Sequence, residues 1–412
     1  MILRPRLGTS LGLPSDRLRA RATLILLIDN LLMWMGFFMI VPLISVHYVN
    51  GLGWAASLVG IVLALRQFTQ QGLTVFSGAL ADRFGARGLI LMGLLVRAVG
   101  FGSMAYADTF SHLLLSSLLA GLGGAFFESP KSAAMAALSD PETRRRIYAV
   151  QGISNNVGMA LGVLIGGFLI QASFKTVALG SGCVYFLTFL LSMFILPQIS
   201  VATGRRSLLS GIMMAARDRR FLIFTLISMG YFMIWVQLSL TVSLQAEKLA
   251  GTEHAVSWVF LTNTLFGISL QYPLVRWLEP RLKPINGLIM GTAIMTLGLG
   301  FIGIINSIWL LLLCVAIFAV GSAILSPNQQ TVVADLADST AFGSYMGFGG
   351  LSLAVGGALG NFLGGSLYDL GIKLNFSDLP WLVFFIVGSS SVVGLVWFSK
   401  HYLVNPSDAP SL

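Results

Sequence analysis

The feature that most limits this chain is a series of twelve apolar runs joined by short connections. They fall near 22–46, 54–78, 88–107, 112–137, 146–170, 174–196, 221–245, 255–278, 286–305, 307–334, 341–369 and 379–400. About twenty apolar residues are enough to carry a helix through the ~30 Å hydrocarbon layer of a bilayer. The 412 residues are 56% hydrophobic and 10% charged, against about 25% charged in ordinary soluble domains. No single soluble core could hide that much apolar surface. The expected fold class is an all-α membrane protein with 12 transmembrane helices, and the lipid bilayer is its first partner.

The formal charge of +9 would suggest nucleic acid in a soluble protein, but its distribution gives a simpler reason. Arg4, Arg6, Arg17, Arg19 and Arg21 precede the first run. Arg83 and Arg87 follow the second, Arg144 to Arg146 follow the fourth, and Arg205, Arg206, Arg217, Arg219 and Arg220 separate the sixth from the seventh. Arg281 and Lys283 follow the eighth, whereas the alternate loops hold only Lys175, Lys248 and Lys373. Basic residues accumulate in cytoplasmic loops. The pattern therefore predicts a multi-pass protein of the plasma (inner) membrane with both termini in the cytoplasm, and no nucleic-acid partner. The first run is too long for a signal-peptide core and is expected to be retained. Cys183 and Cys314 lie inside spans, and His47, His112, His254 and His401 sit at span ends on different loops. No metal site is expected.

The chain divides near its middle. The organisation predicted is a basic N-terminus (1–21), a six-helix bundle (22–196), a linker (197–220), a second six-helix bundle (221–400) and a tail (401–412). The second part of the linker alternates apolar residues with arginines, as a surface helix would; a plain linker is the alternative. "SPKSAAMAALSDPETRRRIYAVQG" (129–152) aligns without gaps on "SPNQQTVVADLADSTAFGSYMGFG" (326–349), matching Ser129/Ser326, Pro130/Pro327, Ala137/Ala334 and Tyr148/Tyr345 at an offset of 197. Repeats of six spans enter the membrane from the same side. They are therefore related by an axis along the membrane normal, with a site expected between them near the midplane.

The second span carries Arg66, Gln70, Thr74, Gly78 and Asp82 at steps of four, with Gln67 and Gln71 beside them. Such a face must meet protein or a water-filled cavity, since lipid would leave it unsatisfied. Gly78 would allow a neighbouring helix to approach closely, and Gly85 would permit the turn that follows.

"GALADRFGAR" (78–87) resembles the loop signature between helices two and three of the major facilitator superfamily. The resemblance implies two pseudo-symmetric six-helix bundles. It also implies a cytoplasmic gate formed by Gly78, Asp82, Arg83, Gly85 and Arg87, with Asp82 facing the start of helix eleven. "LLIDNLL", "GWAA", "LRQFTQQGL", "GLGG", "GSYMGF" and "LYDLG" look like multidrug transporters of its drug–proton antiporter branch. "GMALGVLIGG" (158–167) is close to that branch's helix-five motif through Gly158, Gly162, Gly166 and Gly167, although Val163 replaces the motif proline. The helix-four arginine of many such antiporters is Ser117 here, and Leu138 stands where relatives often complete the gate with an acid. Proton coupling through the usual arginine is therefore not carried over.

Ionisable groups inside a membrane are functional candidates by default. Asp29 lies roughly 10 Å into the first span at ~1.5 Å per residue, Arg66 and Arg97 fall nearer the midplane, and Glu128 lies in the cytoplasmic third of the fourth. Desolvation raises a carboxyl pKa and a nearby base lowers it, so exchanging the two environments loads and unloads a proton. Asp29 and Glu128 are the candidates for that work. Their alternatives are a fixed ion pair for Asp29 and a pairing with Lys131 or Arg66 for Glu128; Arg97 reads as structural. The second half offers amides instead (Gln237, Asn263, Gln271, Asn328, Gln329, Gln330 and Asn361) as a candidate wall for lipophilic cargo. The expectation is a monomeric secondary transporter that moves lipophilic compounds against protons and uses no cofactor. A carrier for one metabolite is the alternative. HExxH, GxSxG and Cys/His metal constellations are lacking, which counts against an enzyme.

Overall fold

The computed structural model describes residues 16–138, 141–197, 208–278, 281–338 and 342–403. The first half holds α1 (Asp16–Ser45), α2 (Ala56–Phe84), α3 (Ala86–Ser103), α4 (Phe110–Leu138), α5 (Pro141–Leu169) and α6 (Phe174–Ile195). A short helix, α7 (Leu208–Arg217), lies in the linker. The second half follows as α8 (Arg219–Trp235), α9 (Thr241–Ala250), α10 (His254–Leu278), α11 (Pro284–Gly300), α12 (Ile308–Leu336), α13 (Phe342–Lys373) and α14 (Leu379–Phe398).

Ten helical segments of the described residues are long and apolar enough to cross a membrane. α2 and α10 complete the twelve, with α8 and α9 together forming the seventh span. α2 falls below that apolar standard because Arg66, Gln67, Gln70 and Gln71 share its middle. The seventh span is interrupted at Val236–Ser239. Gln237 splints the break: its Nε2 donates to Met233 O at 2.7 Å and to Gly360 O at 2.9 Å, while its Oε1 accepts from Thr241 Oγ1 at 3.1 Å. Hydrogen-bonding the carbonyls that a broken helix frees is what makes such a break tolerable within a bilayer.

Packing within each half depends on glycine. A Cβ on Gly158, Gly162 or Gly166 of α5 would collide with the carbonyl of Leu31, Met35 or Met39 on α1. Gly356 and Gly360 of α13, each 198 residues after its counterpart, meet the Met229 and Met233 carbonyls of α8 in the same way. Without side chains there, the helix backbones come into direct contact, which is how helices gain packing where lipid supplies no hydrophobic drive. α3 on α4 and α11 on α12 repeat each other as well. Gly93 faces Gly123 O, and Gly291 faces Gly321 O. The repeat visible in one loop of the sequence thus runs through the helix packing of both halves.

The halves meet along two seams, α2 against α13 and α5 against α10. Hydrogen bonds join the halves toward the end that carries the 46–55, 170–173, 251–253 and 374–378 connections. Ser45 Oγ donates to Ser239 O at 2.9 Å, Ser257 Oγ donates to Val163 O at 3.2 Å, and Asn50 donates to Glu247. The Asp369 carboxylate accepts from Ala56 N and Ser57 N, both at 2.8 Å. A Cβ on Gly72 of α2 or Gly350 of α13 would meet no other atom within 4 Å. The hydrogen bonds close the seam between the halves at the end where they lie.

Candidate functional site

Four charged side chains are buried among the described residues: Asp29, Arg66, Arg97 and Lys131, all in the first half. At an offset of 198 the second half has Ile227, Thr264 and Met295 in place of Asp29, Arg66 and Arg97. The charge is an addition to one half of a common scaffold.

Lys131 Nζ donates to Asn30 Oδ1 at 2.7 Å and pairs with Glu128 Oε2 at 3.0 Å. Glu128 keeps 28% of its side chain exposed while Lys131 keeps 1%, so the acid is the member reachable from outside the bundle. Asn30 also donates to Asn155 Oδ1 at 2.5 Å, which ties α1, α4 and α5 together. Asp29, fully buried next to Asn30, accepts from Ser192 Oγ of α6 at 2.5 Å through Oδ2. Its Oδ1 has no hydrogen-bond partner. Of the two sequence candidates, Glu128 thus takes the Lys131 pairing, and Asp29 bonds a hydroxyl rather than a base.

Arg66 does not reach Glu128. It donates to Gln70 Oε1 at 3.0 Å and to Gln67 Oε1 at 3.1 Å, and its guanidinium stacks over Phe37 at 4.9 Å. Arg97 lies 5.9 Å from the same ring and 5.5 Å from the Tyr185 ring, and donates to Tyr185 OH at 3.3 Å. Gly124, in the "GLGG" stretch, leaves the slot on α4 that holds the Arg97 guanidinium and the Gln70 amide. Cation–π contact adds to these hydrogen bonds in compensating both buried arginines. The Nε atoms of both remain without partners. Gln71, half-buried, completes the polar face on the α2 side.

The gate motif is only partly in view. The side chains of Asp82 and Arg83 and the surroundings of Gly78 lie outside the described residues. Gly85 precedes α3 with φ +82°, a left-handed conformation that favours glycine. Arg87 donates to Met193 O near the end of α6 at 2.6 Å, a basic group placed on the negative end of a helix dipole. Gly167 of the helix-five motif faces Ser257 across the α5–α10 seam.

The candidate cargo wall separates into two sets. Gln237 splints the break in the seventh span, Asn328 donates to Ile324 O at 2.8 Å while packed on Gly287, and Asn361 is buried at the seam with its carbonyl against Gly60. Gln329 and Gln330, in contrast, line a cleft of about 220 Å³ with Phe232, Val333, Met346 and Leu353. Asn263 and Gln271 are half-buried on α10. Lys131 is the buried charge that sequence reasoning treated only as a possible partner; its i+3 spacing from Glu128 was the available signal.

Two repeated helical bundles, joined by glycine-packed seams and hydrogen-bonded to each other near the 46–55 and 374–378 connections, are the frame of a secondary transporter. The Major Facilitator Superfamily profile matches residues 26–245 and again 220–411. The chain is 42% identical over 372 residues to the multidrug resistance protein MdtH of Yersinia enterocolitica serotype O:8 / biotype 1B, covering 90% of this chain and 93% of that one. MdtH of Yersinia pestis (strain Pestoides F) matches with the same identity and coverage. The nucleoside transporter NupG superposes with a TM-score of 0.77 at 14% identity, over 93% of this chain and 100% of that one. A bacterial homologue of the human lysosomal transporter Spinster, in an inward-facing and occupied conformation, superposes with 0.75 at 14% identity, over 95% and 100%. The chain belongs to the Major Facilitator Superfamily.

Proposed function

We propose that this chain exports lipophilic, drug-like compounds across the inner membrane in exchange for protons, working as a monomer by alternating access. By the distribution of basic residues the arginine-rich connections and both termini face the cytoplasm, and cargo enters the cleft beside Gln329 and Gln330 from that side. The names of the MdtH relatives support the multidrug reading. The amide-and-apolar lining around Phe232, Gln329 and Met346 suits cargo of varied shape.

One observation carries the coupling. Asp29 is fully buried in the bundle and bonds a serine through one oxygen, leaving the other without a partner. A carboxylate held that deep has room for a proton on the free oxygen, and a shift of α1 against α6 would change which form is favoured. Glu128, paired but partly exposed, is the acid through which the cleft would exchange protons with Asp29. The driving ion is the proton, and no cofactor takes part.

The test is transport in proteoliposomes with an imposed pH gradient and a panel of dyes and antibiotics. Several structurally unrelated compounds are expected to move, with the gradient-driven component falling at least tenfold in Asp29→Asn or Glu128→Gln. Movement of a single metabolite would replace the multidrug reading with a dedicated carrier. Normal gradient-driven transport in both variants would remove these acids from the coupling role.

A further inference from the structure

The "GWAA" and "LYDLG" stretches, 53–56 and 367–371, have no part in the cargo cleft or the charge cluster, yet they meet. α2 starts at Ala56 after Gly53, Trp54 and Ala55. None of these three side chains can accept a hydrogen bond from the backbone N–H groups that a helix start leaves unpaired. The missing acceptor comes from the other half. Asp369, in the last turns of α13, takes Ala56 N on one carboxylate oxygen and Ser57 N on the other, each at 2.8 Å. Around this contact Gly365 lies against Ala56 O and Gly60 against Asn361 O, so the two backbones touch with no side chain between them.

We infer that Asp369 is a state-dependent latch, a carboxylate on one half that caps the α2 N-terminus of the other and holds this end of the transporter shut. A cap supplied by its own chain segment would stay with α2 through every state. A cap supplied across the seam exists only while the halves are together at this end, so its free energy bears directly on the balance between the two states. A negative group at a helix N-terminus gains from the dipole as well as from the hydrogen bonds. The second seam lacks the device: 198 residues earlier the chain has Gln171, which is exposed and hydrogen-bonds no residue of α10 among the described residues. The latch is one-sided, and Asp369 sets it.

The test measures the distance across the sealed end by electron spin resonance on the full-length protein in lipid nanodiscs. Spin labels go on Leu52→Cys and Leu374→Cys, both exposed and on opposite halves, in a Cys183→Ala, Cys314→Ala background. The parent protein should show mainly the short distance. Asp369→Ala should raise the ratio of long to short at least tenfold, about what the loss of even one hydrogen bond to a charged group gives. Asp369→Asn keeps one acceptor oxygen without the charge and should fall between the two. An unchanged distribution in both variants overturns the inference. Failure of both to insert and fold also overturns it, since Asp369 would then build the fold rather than select a state. The measurement uses neither cargo nor gradient, so its outcome is separate from that of the transport assay.

Discussion

Lys131 on α4 and Asn30 on α1 are joined by a 2.7 Å hydrogen bond, and the same ammonium holds Glu128 at 3.0 Å. One buried base therefore organises both the neighbour of Asp29 in sequence and the second acid. Removing one partner of a fully buried pair costs about 3–5 kcal/mol, because the other charge is left uncompensated. Glu128 is partly exposed and can recover some solvation, so Lys131→Met should cost roughly 2 kcal/mol. Adding Glu128→Gln to Lys131→Met removes the orphaned acid and should restore part of the loss. Thermal unfolding of the purified protein, followed by size-exclusion chromatography, distinguishes these outcomes. A double variant less stable than the single one would show that the pair is not a unit.

Gly162 sits on α5 against the Met35 carbonyl of α1, and Gly360 sits on α13 against the Met233 carbonyl of α8. Neither obstacle is the end of a flexible side chain, so neither can move aside cheaply. Gly162→Val and Gly360→Val should each destabilise the protein by about 1–3 kcal/mol or more, the range for overpacking, and by similar amounts. A midpoint of unfolding unchanged in either variant would refute backbone contact at that position.

The difference between these residues shows what the sequence could disclose. Hydropathy reports the lipid environment of whole segments, so the twelve spans and the twofold organisation were legible from it. The ladder Gly158, Gly162, Gly166 was legible as a resemblance to a helix-five motif, while its contact with the α1 carbonyls is seen only in the fold. The role of Gln237 was hidden, since an amide in a span has the same letter whether it meets cargo or repairs a broken helix. The partner of Asp369 was hidden for a different reason. The donors it accepts from are backbone N–H groups 313 and 312 residues away, and backbone groups leave no trace in composition or periodicity.

Arg97 occupies the position where the second half has Met295, on matching glycine-packed helices. The shared scaffold therefore does not need the charge. Replacing a buried charged group by an apolar one of similar volume is often neutral or stabilising. Arg97→Met should leave thermal stability within about 1 kcal/mol of the parent, with Tyr185 still donating to Met33 O at 2.8 Å. A loss much larger than that would mean that the cation–π contacts with Phe37 and Tyr185 carry the packing of α3.

Arg66 leads to a different expectation, that its charge bears on the cargo rather than on the scaffold. With Arg97 and Lys131 it makes three buried bases in the first half against Asp29 and Glu128, and among the described residues the second half adds no buried charge of either sign. Both arginines stack on Phe37 and neither is bonded to a carboxylate among the described residues. Charges in a low-dielectric interior act over longer distances than they do in water, so the cleft should disfavour lipophilic cations relative to neutral or carboxylate-bearing compounds. A pair of dyes of similar size, one with a carboxylate and one with a quaternary ammonium, compared in the same proteoliposomes, measures that preference. The parent protein should favour the carboxylate dye, Arg66→Gln should narrow the preference several-fold, and Arg66→Lys, which keeps the charge, should retain most of it. Equal transport of both dyes by the parent would show that Glu128 and the solvent in the cleft screen the bases. A preference lost equally in the Lys variant would instead place the effect in the packing of the planar guanidinium on Phe37.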